Sequence, residues 1–137
     1  MMLNIHENLT VQERGSLDQM RTWAIEQGTP NEQLTSAGKL AIVQRVLDSN
    51  VLSSSDTWKA CALGVLFGDA LQQAMENRLK WVIAEDELGS TFAMSWKHSE
   101  VLVYPLSAIK SRLEDSEAID VHTLYSEYTS VLPFQPR

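Results

Sequence analysis

The chain has 137 residues, 44% of them hydrophobic and 21% charged, and eleven Lys and Arg against eighteen Asp and Glu leave a net charge of −7. That length suits a single domain over residues 1–137, able to bury roughly 68–70% of its unfolded surface and to fold without a disulfide or metal staple. The mixture excludes a disordered chain, and the acidity argues against a nucleic-acid binder.

The first helix begins at a capping box, Thr10 with Glu13, in which each side chain accepts from the other's backbone N–H. Leu17, Met20, Trp23 and Ala24 then share one face at helical spacing, and Gly28 suits the helix end. Gly15 lies inside this helix, where glycine costs about 1 kcal/mol against alanine. A second helix is expected from Thr29-Pro30-Asn31-Glu32, which offers a cap, a proline at the first helical position and an acid in the first turn. Leu34, Ala37 and Ala41, then Leu40, Val43 and Leu47, carry the pattern on to Asn50. The polar link Ser53-Ser54-Ser55-Asp56 is expected to cap a third helix over about 56–78. Its first half, Ala60 to Gly68, is apolar on every side, the mark of a helix buried in the middle of a domain. Gly64 and Gly68 lie four apart on one side of it, where they permit close approach of another backbone.

After Asn77 the period changes from 3.6 to 2. Trp81–Ala84 is a β-rich run, Glu85–Ser90 a turn, Thr91–Trp96 a clean alternation, Lys97–Glu100 a second turn and Val101–Tyr104 a third short strand. Three such strands make an antiparallel meander that needs helices over its apolar face. Pro105 opens a fourth helix with Leu106, Ile109 and Leu113 on its stripe. Asp120 caps a last helix bearing Val121, Leu124, Tyr125, Tyr128 and Leu132, stopped by Pro133. The expected class is α+β: three N-terminal helices, a three-stranded meander and two C-terminal helices, with one layer of sheet covered by helices.

Motifs that carry a defined chemistry are absent: no phosphate loop, no dinucleotide fingerprint, no nucleophile elbow and no calcium loop occur. His6, His98 and His122 lack metal-ligand spacing. Cys61 stands alone in an apolar run and reads as a buried structural thiol. No catalytic residue, metal or cofactor is expected. The polar exceptions are Asp69, the first acid after the apolar run, and the Asp86-Glu87 pair in the acidic turn Glu85-Asp86-Glu87. Converging carboxylates can hold Mg²⁺ or Ca²⁺ or act as a general base, although neighbours on a regular strand point to opposite faces. If buried, Asp69 must be paired. The charge as a whole is dispersed, with nets of −2, −3 and −2 over residues 1–55, 56–104 and 105–137.

The series Leu63-Gly64, Gly68-Asp69, Leu71, Trp81, Asp86-Glu87, Gly89, Ala93, Pro105-Leu106, Ile109 and Arg112 resembles an uncharacterised bacterial family, the domain of unknown function 3806, over about residues 57–132. The resemblance implies a small bacterial protein and brings no activity, cofactor or catalytic residue. The expected function is a non-enzymatic protein-interaction or accessory module. The alternatives are a small enzyme or metal-binding protein using Asp69, Asp86 and Glu87, and a homodimeric structural module. A protein partner or a second copy is the expected ligand, with no nucleic acid and no membrane, and the diffuse acidity reads first as a source of solubility. The N-terminus lacks a secretory pattern and the longest apolar run is far short of the ~20 residues of a membrane helix, so a cytoplasmic location is expected.

Overall fold

A computed structural model describes residues 3–29, 33–53, 55–97 and 101–132. Among these the elements run β1 (Asn4–His6), α1 (Val11–Glu26), α2 (Ser36–Asp48), α3 (Thr57–Ala74), β2 (Leu79–Asp86), β3 (Gly89–Trp96), β4 (Leu102–Val103), α4 (Pro105–Glu114) and α5 (Val121–Ser130). The class is α+β, with five helices and an antiparallel sheet in the order β1-β2-β3-β4.

The sheet therefore has four strands where the sequence suggests three. β1 lies antiparallel to β2, with Asn4 opposite Glu85, Ile5 opposite Ala84 and His6 opposite Ile83. Leu3-Asn4-Ile5-His6 alternates apolar and polar, but over too few residues to stand out from a tail. Pairing with a strand about 80 residues away makes it β, a tertiary override of weak local preference.

Helix starts follow their caps. In α1 the Thr10 hydroxyl accepts from the Glu13 amide at 3.1 Å and the Glu13 carboxylate accepts from the Thr10 amide at 2.8 Å. In α5 the Asp120 carboxylate accepts from the amides of His122 and Thr123 at 3.0 and 3.1 Å. Pro105 opens α4. The start of α2 differs from expectation. Thr35, not Thr29, caps it, accepting from the Gly38 amide at 3.0 Å. Pro30, Asn31 and Glu32 lie outside the described residues, and Leu34 is exposed. Two threonine caps compete here, and the one chosen leads straight into Leu40, Ile42, Val43 and Val46, all buried.

α3 ends at Ala74, earlier than the 78 expected. Glu76 and Asn77 both take the left-handed conformation (φ 54 and 63). The Asn77 amide returns to the Gln72 carbonyl at 3.0 Å and that of Arg78 to Met75 at 3.1 Å. No glycine announces this ending, so the helical pattern runs on in the sequence. Asp56 does not cap α3 through its side chain; its carboxylate turns back to accept from the Ser53 amide at 2.8 Å. The early stop lets β2 begin at Leu79 and run to Asp86. Glu85 is thus a strand residue opposite Ser90, and the hairpin turn shrinks to Glu87-Leu88, followed by Gly89 at φ +133. β4 is only Leu102–Val103; of the turn before it, His98, Ser99 and Glu100 lie outside the described residues, as does Pro133.

α3 occupies the centre. Ala62 to Leu71 are all buried, with α1, α2 and α4 packed around it. One face of the sheet joins this main core through Leu79, Trp81, Met94 and Val103. The other face carries a small separate cluster of Val82, Ala84 and Ala93 beside Leu102 and Tyr104. Phe67 on α3 meets Tyr128 on α5 edge-on, with ring centroids 5.5 Å apart, which ties the C-terminal helix to the centre.

Gly15 in α1 has nothing within 4 Å of where a Cβ would stand. Gly15→Ala should therefore stabilise the protein by roughly 0.5–1 kcal/mol, read as a higher midpoint in urea with an unchanged slope.

Candidate functional site

Asp69 sits two turns into the buried half of α3 and is 5% exposed. A carboxylate there must be charge-paired and hydrogen-bonded. Arg21 of α1 supplies both needs. Its Nε donates to Asp69 Oδ2 and its Nη2 to Oδ1, the latter at 3.1 Å. The Trp81 indole N–H, from β2, donates to the same Oδ1 at 3.0 Å. Arg21 Nη1 also donates to Asp18 at 2.6 Å, one turn back on α1. Hydrogen bonding to Asp69 raises the Arg21 pKa above the ordinary arginine value, against the opposing effect of burial. One carboxylate thus joins two helices and a strand, and both of its oxygens are engaged.

The sequence carried a signal for Arg21. Leu17, Arg21 and Ala24 stand at i, i+4 and i+7, and Leu17 and Ala24 are buried. An arginine inside a core stripe calls for a buried acid, and α3 holds one.

The glycines set how closely these elements meet. At Gly68 a Cβ would lie 2.5 Å from Trp81 Cζ2, so the indole lies directly on the helix backbone one residue from Asp69. At Gly64 a Cβ would lie 2.5 Å from Leu106 Cα and 2.9 Å from the Pro105 carbonyl oxygen, so α4 crosses α3 there backbone to backbone.

Asp86 and Glu87 lie elsewhere. Asp86 is five residues along β2 from Trp81, about 16 Å at the rise of a strand. Its carboxylate accepts from the Leu88 amide at 2.8 Å, closing the hairpin turn. Glu87 is exposed in that turn. The structure therefore does not bring the three acids into one cleft: Asp69 is locked in the core and the other two shape the far end of the hairpin. Among the described residues, no three His, Cys, Asp or Glu side chains are grouped to hold a metal ion.

The surface hollows among the described residues include a larger and a shallower one. A cleft of about 590 Å³ lies between the end of α2 and the α4–α5 link, with Leu47, Leu52, Leu113 and Ile119 beside Asp48 and Glu117. Gln44 fastens its rim, donating to the Ile119 carbonyl at 3.0 Å and accepting from the Val121 amide at 2.7 Å. A shallower hollow of about 350 Å³ lies on the outer sheet face, with Leu3, Ala84, Leu88 and Tyr104 around it.

β1 forms one edge of the sheet, and all three of its residues are exposed. Ile5 is 37%, Leu3 50% and Leu88 93% exposed. On the opposite side of β1 the His6 Nε2 lies 3.4 Å from Glu85 Oε1. Cys61 is half-buried against the core, and burial pushes its thiol pKa up, only partly offset by Lys110. The sign follows: the neutral thiol is favoured in the fold. Its contribution to stability is full below the unfolded thiol range and is lost as pH rises through the raised value. At pH 8 the native protein should react with a thiol reagent about tenfold or more slowly than the unfolded chain. Equal rates would contradict this.

The chain belongs to the family described as a domain of unknown function (DUF3806), whose model matches residues 39–125. The match takes in Gly64, Gly68, Asp69, Trp81, Asp86 and Glu87, while β1 and Arg21, the partner of Asp69, lie before it. A crystal structure from Bacteroides thetaiotaomicron is similar in fold, with a TM-score of 0.76 at 13% sequence identity over 93% of this chain and 47% of that one. This chain thus spans about half the length of that protein. No curated protein matches the sequence. No helix among the described residues is long and apolar enough to cross a membrane.

Proposed function

We propose that the chain is a non-enzymatic protein-interaction module that acts through the open edge of its sheet. The carrying observation is β1: three exposed residues at the rim of a four-stranded sheet, with exposed Leu3 and Leu88 close by. A strand edge is a ready template for a partner strand, and exposed apolar side chains beside it favour occupancy. Asp69 and Asp86 support the same conclusion, since each is engaged in holding the fold. The dispersed acidity suits a basic partner. A bacterial origin and a cytoplasmic setting remain expectations from the sequence.

Peptide display against the immobilised full-length protein tests this. Enriched peptides should bind the native chain and fail to bind Ile5→Pro, which removes an N–H from β1, with circular dichroism checking that the variant is folded. Enrichment of nothing, or of peptides indifferent to Ile5→Pro, would overturn the proposal.

A further inference from the structure

Resting on the open-edge function above, we infer that the partner is a strand alternating apolar and basic side chains. The apolar ones lie beside Ile5, and the basic ones turn toward Glu85. An added strand alternates as β1 does, so each side of the edge selects every second residue. On the outer side Ile5 stands with Leu3 and Leu88, all exposed, beside the hollow of about 350 Å³. That side accepts apolar groups. On the other side are Asn4, His6 and Glu85, the Glu85 side chain 49% exposed and the His6 side chain 53%. A strand laid on β1 stands two strand spacings from β2, about 9.6 Å, which a lysine and a glutamate reaching toward each other can span. β1 itself contains none of the Lys, Arg or Pro residues that blunt natural edges, and its His6 Nε2 already shares one Glu85 oxygen at 3.4 Å, so a basic side chain joins His6 on that carboxylate. The net charge of −7 acts in the same direction over longer range.

The probes are capped peptides of about nine residues, binding measured by fluorescence anisotropy near 0.15 M salt, where long-range attraction is largely screened. Alternating Lys/Val should bind the full-length protein about tenfold or more tightly than its block isomer, in which the lysines and valines are segregated. Glu85→Gln should weaken it about two- to fivefold, the range of an exposed ion pair. Ile5→Lys, which keeps every backbone donor, should weaken it by more, and Ile5→Pro should abolish it. Equal binding of the two isomers, or indifference to Glu85→Gln, overturns the inference. Alternating Thr/Val that binds as well as Lys/Val and is lost in Ile5→Pro overturns the basic partner while sustaining the open edge. Failure of every alternating peptide overturns both. Light scattering that finds a dimer abolished by Ile5→Lys would assign the edge to a second copy and overturn the inference as well.

Discussion

Asp69→Ala is expected to lower stability by about 3–5 kcal/mol, the range for removing one partner of a buried ion pair. In a chain of this size that is a fall in melting temperature of about 10–15 °C. Three donors converge on this carboxylate, two from Arg21 and one from Trp81. Without it the Trp81 N–H loses its partner in the core and the Arg21 guanidinium faces a cavity. Arg21→Ala should cost about as much, because it leaves the buried Asp69 carboxylate with the indole bond and without a counter-charge. Trp81→Phe removes that bond, with an expected cost of about 1–3 kcal/mol before any loss of packing. Joint replacement by apolar residues of similar size, Asp69→Leu with Arg21→Met, should recover much of the loss. Chemical denaturation of the set measures the coupling. An Asp69→Ala variant within about 1 kcal/mol of the native protein would mean that the cluster does not hold the helices and sheet together.

Gly64→Ala is expected to destabilise by about 2–3 kcal/mol, even though alanine is the better helix former by about 1 kcal/mol. The added Cβ would stand 2.5 Å from Leu106 Cα and 2.9 Å from the Pro105 carbonyl. Those are backbone atoms, which cannot rotate away, so α3 and α4 must separate along their crossing. Gly64→Val should be worse. At Gly68 the obstacle is an indole, which can tilt, but tilting draws its N–H from Asp69. Gly15→Ala is the internal control, the same substitution in open space. Denaturant midpoints should therefore rise for Gly15 and fall for Gly64. A Gly64→Ala midpoint at or above the native value would overturn the close crossing.

Much of the architecture can be read locally. The starts of α1, α4 and α5 rest on Thr10 with Glu13, on Pro105 and on Asp120, each acting within three residues, so chain sequence alone reports them. The burial of α3 is likewise visible as nine consecutive residues without a polar side chain. Where two local signals compete, the sequence misleads. Thr29-Pro30 and Thr35 both resemble helix starts, and only packing against the rest of the core chooses Thr35. The end of α3 is hidden because Glu76 and Asn77 take a conformation that glycine normally marks. β1 is hidden because three residues have no meaning as a strand until β2 is beside them.

The same division holds for the candidate site. Composition and spacing single out Asp69, Asp86 and Glu87 as polar exceptions, because acids beside long apolar or strand patterns are visible in one dimension. Their separation is not. Asp69 meets Arg21 across 48 positions, and β1 meets β2 across almost 80. Caps, turns and apolar periods depend on neighbours in the chain and are therefore written into it residue by residue. Ion pairing in the core and the pairing of a strand edge depend on loop closure and burial. Only the packed chain decides which acid is locked into the core and which strand stands at the edge of the sheet.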